Sequence, residues 1–536
     1  RYSKLVSVPE TIIPVSKEKL LEIVKLGITL KSKQTKQNSG SKDNDDEMSV
    51  ADKIAESIER SAEFYLDQNQ EPWATCDHAS GEIRSYPLES GDFKRWAQRV
   101  ICNELGTKTI KKDYYNQALA YWNMLAYESN KIISMQNRIA VNDAMTEVIY
   151  DCNSPDNKSV LIKDGNILII DTPQEVFRRE KADAAQVKPN LAVDHRSLIS
   201  YIEKYFNCAT HNGLILLTTY IVTCFLGSKI NHAIMIFSGS KGSAKSTATR
   251  YIQRLVSPQI TGLTTLSKKV DDVAVRLSHS VLAVFDNLSQ ISEGISDLLC
   301  VAVTGGTYPK RKLFTDNEEI YLQLKAMIIM NGVNVVAEKS DLLDRSINIE
   351  LKRLTKDTIK SPLELDAMFR DDLPNILGAI MKTVAIAIND VEEVETDELI
   401  RMADFHIWGI KVARALGIEQ HEFEEALLGN RVRINEKAIE SYPVAALLMD
   451  FVEDKPSWVG SVSKLHSDLT KLAINQNINE VESNLAEVGI RFSIRNVGSY
   501  KEIEVTNSNA KETNKRKVML SKKAKEKLMR EDDDND

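Results

Sequence analysis

Residues 233–247 read AIMIFSGSKGSAKST, and the fold turns on this stretch. Its apolar half, closed directly by glycine and serine, has the length and composition of a buried strand, and the residues after it run on as a helix. Phosphate binding requires backbone amides that converge on oxyanions at a helix N-terminus, so the loop must be built of glycine and small residues. A Lys then reaches the terminal phosphates and a hydroxyl holds Mg²⁺. Gly239, Ser240, Lys241, Gly242, Ser243, Ala244, Lys245, Ser246 and Thr247 supply such a loop, with Lys245 and Ser246 in the two chemical roles. The pattern G-x-x-x-x-G-K-[ST] fails only at Ala244, and alanine is the mildest replacement provided that the backbone there does not need a positive φ. The plain alternative is an ordinary Gly/Ser turn between strand and helix.

Downstream, the apolar run VLAVF (281–285) delivers Asp286 forty-one residues after Lys245, where a carboxylate can hold Mg²⁺ through water. A second run, AMIIM (326–330), delivers Asn331, whose amide offers a donor and an acceptor for orienting a water against the γ-phosphate. Fourteen residues later, DLLDRSINIEL places Arg345 at the start of another apolar strand, positioned to meet developing phosphate charge in a neighbouring subunit. Each of these residues alone is more often a strand-end turn residue, and Arg345 has the competing role of a salt bridge to Asp341 or Asp344. Strands separated by helical segments point to a parallel α/β sheet.

Around this core the chain divides by pattern. Residues 1–54 are a short segment followed by a polar linker (31–50), and 55–188 mix amphipathic helices such as Tyr115 to Ala126 with a hairpin in which VLIK and ILIID flank Asp164, Gly165 and Asn166. This reads as an α+β accessory or collar domain. The ATPase core spans 189–355, a helical lid or bundle 356–439, a winged helix 440–507 and a disordered charged tail 508–536. The winged-helix expectation rests on two amphipathic helices, Val462, Leu465, Leu469 and Leu472 on one face and Val481, Leu485 and Val488 on another, followed by the hairpin GIRFSIR, NVGS, YKEIEV. Arg491, Arg495 and Lys501 lie along its wing as candidate DNA contacts; winged helices also serve as protein contacts. The fold class is therefore multidomain α/β, a P-loop parallel-sheet core between an N-terminal α+β domain and a C-terminal helical plus winged-helix region.

At 536 residues the chain exceeds one compact core and points to roughly three or four units. A composition 43% hydrophobic and 27% charged, with mean hydropathy -0.27, is that of ordinary globular proteins. No apolar run approaches the roughly 18 residues of a spanning helix, and the best stretch, Leu214 to Leu226, carries Thr218, Thr219, Tyr220 and Thr223, so a buried helix, no membrane partner and a cytoplasmic location are expected. The six cysteines are widely spaced without a Cys-x-x-Cys pair and read as reduced core thiols. A net charge of -8 says nothing for or against DNA, because phosphate contact depends on where Lys and Arg sit. The first residue is Arg1, so the numbered chain reads as cut from something longer, and a primase domain upstream is one expectation.

GSKGSAKS resembles the Walker A loop of the minichromosome-maintenance (MCM) helicases, which also place Ala before the Lys. VFDNLSQIS, TGGTYPKRKLFTD, IIMNGVN and DLLDR, in that order, resemble the AAA+ helicase ATPases of phages, plasmids and other mobile elements, related to superfamily-three and MCM-like helicases. The resemblance covers about 195 to 355 well, and RMADFHIWG (401–409) with the winged-helix region more loosely. It implies a homo-oligomeric ring, usually a hexamer, with ATP and Mg²⁺ between subunits and an arginine finger acting in trans, translocating on single-stranded or forked DNA, with a primase or polymerase as domain or partner. It also implies a hairpin just before the Asn331 strand that grips the DNA backbone; here that segment is Tyr308 to Asp316, with Lys310, Arg311 and Lys312 as the candidate grip, a solvated charged turn being the alternative. One departure stands out. Where MCM proteins carry a catalytic Glu after the Asp, this chain carries Asn287, which cannot accept a proton at neutral pH but can position water. Either another carboxylate such as Glu293 is the base, or hydrolysis is slow. An ATP-driven DNA helicase of a mobile element, plasmid or virus is the leading expectation; a remodelling AAA+ ATPase without unwinding and a nucleotide-gated DNA-binding scaffold are the rivals.

Overall fold

The computed structural model describes residues 49–440 except 79–82, 155, 172–175, 289–290, 312–318, 333–339 and 356–360, and beyond them 451, 457–461, 467–469, 471–472, 490–497, 500–507 and 515–516. Helix α1 (Val50–Glu59) is started by Ser49, whose side chain accepts from the Asp52 amide, and leads into an antiparallel meander of β1 (Ala62–Asp67), β2 (Pro72–Asp77) and β3 (Ile83–Pro87). Helices α2 (Gly91–Leu105) and α3 (Lys112–Glu128) cover it, and β4 (Ile132–Ile133) pairs in parallel with β1. Phe93, Trp96, Tyr115 and Trp122 close a core of their own here, and the buried Trp122 indole donates to the Ala55 carbonyl.

A second meander follows: β5 (Ile139–Val141), β6 (Glu147–Asp151), β7 (Ser159–Lys163) and β8 (Asn166–Ile170). Asp164 and Gly165, at φ 50° and 73°, form the two-residue turn between β7 and β8, a conformation whose twist matches a hairpin and which Asp and Gly tolerate. Ile139, Val148, Tyr150, Val160 and Ile162 do not join the α1–α3 core; they belong to the same apolar core as the parallel sheet. The Tyr150 hydroxyl donates to the Val256 carbonyl at 3.1 Å and the Gln186 amide to those of Arg254 and Leu255 at 3.0 Å, which ties the meander to the helix after the glycine-rich loop. The region read as one accessory domain thus contributes to two cores.

Helices α4 (Leu198–Tyr205) and α5 (His211–Thr223) precede the sheet. The apolar stretch is longer than the sequence reading allowed. With the 3-10 turn Cys224–Lys229, whose run breaks at Gly227 (φ 55°, ψ -149°), it makes a 19-residue stretch long and apolar enough to cross a membrane, against the expectation that no run would be. Its threonines explain the difference: Thr218, Thr219 and Thr223 return their hydroxyls to carbonyls of the preceding turn, so they interrupt the composition without interrupting the helix. The helix is 83% buried and packs in the main core.

The sheet is parallel throughout, in the order β10 (Leu282–Leu288), β13 (Met327–Gly332), β9 (Ile234–Ser238), β14 (Ser346–Glu350). A single parallel bridge, Thr264 to Phe285, continues it beyond β10. Near-continuous apolar runs are what a parallel sheet covered on both faces demands. Helices α6 (Lys245–Val256), α7 (Val270–Ser278) and α8 (Glu293–Thr304) connect the strands, with the hairpin β11 (Gly306–Arg311) and β12 (Glu319–Leu324) inserted before β13. The short helix α9 (Ser340–Leu343) leads to β14.

Three helices form the second layer: α10 (Pro362–Ile388), α11 (Ala403–Leu416) and α12 (Gln420–Glu440). The second of these begins at Ala403, and its first-turn Asp404 accepts from the Asn231 amide at 3.0 Å. In the C-terminal region β16 (Ile490–Val497) and β17 (Tyr500–Asn507) form the expected hairpin. β15 (Ser457–Ser461) adds to its first strand and β18 (Lys515–Arg516) to its second. Of the two amphipathic helices expected there, 467–469 and 471–472 are helical, and the second, 481–488, lies outside the described residues.

Gly378 in α10 faces the chain at Asn190, where an added Cβ would lie 1.9 Å from the carbonyl oxygen. Backbone against backbone leaves no room for a methyl, so Gly378→Ala is expected to destabilise by about 1–3 kcal/mol through overpacking, as measured by urea unfolding.

Candidate active site

β9 ends at Ser238 and α6 begins at Lys245, so residues 239–244 form the turn between a central strand and a helix N-terminus. Two glycines have different reasons to be there. At Gly239, φ 140°, a Cβ would lie 2.5 Å from the Leu351 carbonyl oxygen, whereas at Gly242, φ 86°, the space is open and the backbone conformation alone asks for glycine. Ala244 sits at φ 61°, ψ 26°. The proviso attached to alanine at this position therefore fails: the backbone does need the left-handed region, and Ala244 carries the steric cost of its Cβ there.

The loop is a cradle of polar groups. Lys245 donates from Nζ to the carbonyls of Gly239 and Ser240 at 2.7 and 3.1 Å. Ser243 is buried and its Oγ lacks a hydrogen-bond partner, an orphan that an added oxyanion or water would satisfy. Lys241 and Ser240 are exposed on the loop rim, and Thr247 is half-buried in the first turn of α6. Across the sheet, Ser246 donates from Oγ to Asp286 Oδ1 at 2.9 Å. Two hard oxygen donors brought together from a helix N-terminus and a strand end suit a small divalent cation that completes its shell with phosphate and water.

Asp286 and Asn287 lie at a register irregularity of β10 between Phe285 and Leu288. The Asp286 amide donates to the Thr264 carbonyl at 3.0 Å, fixing the strand end from outside. Asn287 takes φ 57°, a conformation that Asn adopts with little strain and Glu does not. Local backbone geometry thus accounts for Asn at the position where the resemblance leads one to expect Glu. Glu293, the alternative base, is exposed at the first position of α8.

Asn331 makes its hydrogen bonds within the protein. It is 2% exposed, its Oδ1 accepts from the Asn287 amide at 2.9 Å, and its Nδ2 donates to Thr249 Oγ1 at 2.8 Å; Thr249 in turn donates to the Lys245 carbonyl at 2.9 Å. Both functions of the amide are engaged within the protein. Asn331 thus acts as a clip that ties the Asp286–Asn287 strand end to α6 through Thr249. Thr249, its partner, carries no signal in the sequence beyond standing one turn after Lys245.

Arg345 is paired in its own chain: Nη1 lies 2.6 Å from Asp341 Oδ2 and donates to the Asp341 carbonyl at 3.0 Å. The competing salt bridge read from the sequence is therefore present. The Arg345 guanidinium holds the Asp341 carboxyl below the usual carboxylate range. Arg401, which the sequence reading did not single out, reaches the same carboxylate at 2.6 Å.

The β11–β12 hairpin stands where a hairpin before the Asn331 strand is implied. Tyr308 anchors its base by donating to Asp271 Oδ1 at 2.6 Å. Lys310 is half-buried opposite Ile320 and Arg311 exposed opposite Glu319, so consecutive cations on a strand face opposite sides; Lys312 lies outside the described residues. Arg491 and Arg495 fall on β16 opposite Thr506 and Glu502, and Lys501 on β17 opposite Asn496.

A family model for actinomycete integrative conjugative element replication proteins matches residues 199–430. No curated protein matches the chain. Among solved structures, the apo C-terminal region (305–718) of NrS-1 is 9% identical, with 82% of this chain and 95% of that chain covered at a TM-score of 0.37. Its A form is 10% identical, with 79% and 90% covered at 0.36. JCV helicase is 15% identical, with 44% and 64% covered at 0.23. Likenesses at these scores leave the assignment to the chain's own geometry.

Two substitutions check the loop and the clip. Ala244→Gly removes a left-handed alanine but loosens the unfolded chain, so a net gain of about 0.5–1 kcal/mol is expected in thermal unfolding. Asn331→Ala removes a buried side chain together with its bonds to the Asn287 amide and to the buried Thr249 hydroxyl, and is expected to cost about 1–3 kcal/mol by the same measurement.

Proposed function

We propose that this chain is an AAA+ P-loop ATPase that binds Mg·ATP at Lys245, Ser246 and Asp286 and uses its hydrolysis to translocate on and unwind DNA in the replication of a mobile element, plasmid or virus. The observation that carries the reading is the 2.9 Å contact between Ser246 and Asp286, which joins the loop helix to a strand on the far side of β13 at one end of a parallel sheet. Ligands of open parallel sheets bind beyond the carboxyl ends of the strands, where both residues stand. The match to a family of replication proteins over 199–430 supports the biological setting.

In this reading the amides of residues 239–246 cradle the phosphates, and Lys245 leaves the Gly239 and Ser240 carbonyls to meet the terminal ones. Ser246 and Asp286 would hold Mg²⁺, which supplies charge neutralisation on the phosphate oxygens. Water attacks the γ-phosphorus, the bond to the bridging oxygen breaks, and ADP and phosphate leave. The water's proton needs an acceptor that the Asn287 amide cannot be, and Glu293 is the candidate carboxylate next along the chain. Arg345 would act in trans across the interfaces of a ring, a hexamer by resemblance, with ATP between subunits. Lys310, Arg311 and Lys312 would contact the DNA backbone, and Arg491, Arg495 and Lys501 a further duplex or backbone surface. The setting is cytoplasmic, with a primase or polymerase as a working partner.

A nucleotide-gated scaffold with slow hydrolysis is the second reading, favoured by Asn287 and by the two engaged functions of Asn331. ATP turnover measured with and without single-stranded and forked DNA, with strand displacement scored on the same fork, separates the two. The motor reading predicts DNA-stimulated hydrolysis and unwinding that fall at least about 100-fold in Lys245→Ala, as loss of a phosphate-stabilising group does. ATP binding without turnover in the wild type would sink it in favour of the scaffold.

A further inference from the structure

Asp341 serves two guanidinium groups. Arg345 Nη1 lies 2.6 Å from one carboxylate oxygen, and Arg401 Nη1 lies 2.6 Å from the other and 3.8 Å from Asp344 Oδ2. The two arginines come from different layers. Arg345 immediately precedes β14 of the parallel sheet and its carbonyl accepts the Ile234 amide of β9, whereas Arg401 precedes buried Met402, whose carbonyl accepts the His406 amide in the first turn of α11, so its backbone moves with the helical layer. They also differ in enclosure: the Arg345 side chain is 12% exposed and its Nε lacks a partner, while that of Arg401 is 43% exposed.

We propose that Arg401 is a positioning residue for Arg345, acting through Asp341, so that the position of the helical layer sets how firmly Arg345 is held in its own chain. The inference rests on the reading of Arg345 as the phosphate-facing arginine. Its logic is charge balance. Two arginines and two aspartates form a neutral cluster, and when Arg345 swings toward phosphate oxygens, Arg401 stays to neutralise Asp341 and Asp344. Without Arg401, departure of Arg345 leaves two adjacent carboxylates with no cation in the cluster, and the departure becomes harder. Because Asp341 is half exposed, its ion pairs are weak enough to exchange partners rather than lock.

The test compares wild type, Arg401→Ala, Arg401→Lys, Asp341→Asn and the double variant Arg401→Ala/Asp341→Asn, all in the full chain, by two readouts. The first is labelling of Arg345 by an arginine-directed dicarbonyl, quantified by peptide mass spectrometry without nucleotide. Arg401→Ala should slow it about threefold, and Asp341→Asn should speed it by a similar factor in both backgrounds. The second is ATP hydrolysis, where Arg401→Ala should lower kcat about 5- to 10-fold at unchanged KM, Arg401→Lys should keep most of the rate, and Asp341→Asn should relieve the Arg401→Ala defect. Unchanged Arg345 labelling in Arg401→Ala, or a kcat defect that Asp341→Asn does not relieve, would overturn the relay. Absence of turnover in the wild type would instead count against the ATPase reading, and the labelling rates would still decide whether Arg401 governs Arg345.

Discussion

The hydrogen bond from Ser246 to Asp286 is the constraint on which the rest of the site depends. It requires the loop helix to start where the Asp strand ends, and that requires β9 and β10 to run parallel with β13 between them. A parallel arrangement in turn requires crossover helices and cover on both faces. The chain supplies the cover with the buried helix 211–229 beneath the sheet's own apolar strands and with a meander, β5–β8, recruited from the N-terminal half. Tyr150 and Gln186 fasten that meander to the end of α6, so the helix that bears Lys245 and Ser246 is held at its first turn by the Asn331–Thr249 clip and at its last by the accessory strands.

Strain and satisfaction are distributed unevenly around this contact. Ala244 and Asn287, one on each side of it, both sit in the left-handed region, and Ser243 keeps a buried hydroxyl without a partner. Such features persist only where the surroundings over-determine them, and they gather at binding sites. Asn331, beside them, bonds within the protein through both its oxygen and its nitrogen, while Arg345 stands at the opposite end of the sheet, where β9 and β14 begin, and is paired with Asp341. Phosphate binding by this loop therefore asks for movement of a side chain that is already bonded, Lys245 from its loop carbonyls.

Much of this was legible in the sequence, and what was missed has physical causes. Apolar runs ending in Gly, Asp or Asn located β9, β10 and β13, because a parallel strand buried on both faces has no alternation to obscure it. The hairpin turns at Asp164–Gly165 and between β16 and β17 were readable from local turn chemistry. The conformation of Ala244 was not, since nothing in a one-letter code distinguishes a right-handed from a left-handed alanine. Nor was the role of Asn331, which depends on Thr249 and Asn287, 82 and 44 residues away. Long-range partnership also hid Arg401, 60 residues from the aspartate it shares with Arg345, and the joining of β5–β8 to the core of the parallel sheet. The length of the buried helix was misread because threonine looks like an interruption in composition while its hydroxyl is satisfied within the helix.

In the function we propose, Ser246 and Asp286 together hold a divalent cation against bound nucleotide. Calorimetric titration of ATP into the wild type, Ser246→Ala and Asp286→Asn, each with Mg²⁺ and with chelator, tests it most directly. Wild-type binding is expected to tighten by at least about tenfold with Mg²⁺, some 1.4 kcal/mol, and both variants to lose that dependence. Equal affinity with and without Mg²⁺ in the wild type, or a Mg²⁺ dependence that survives both substitutions, would contradict it.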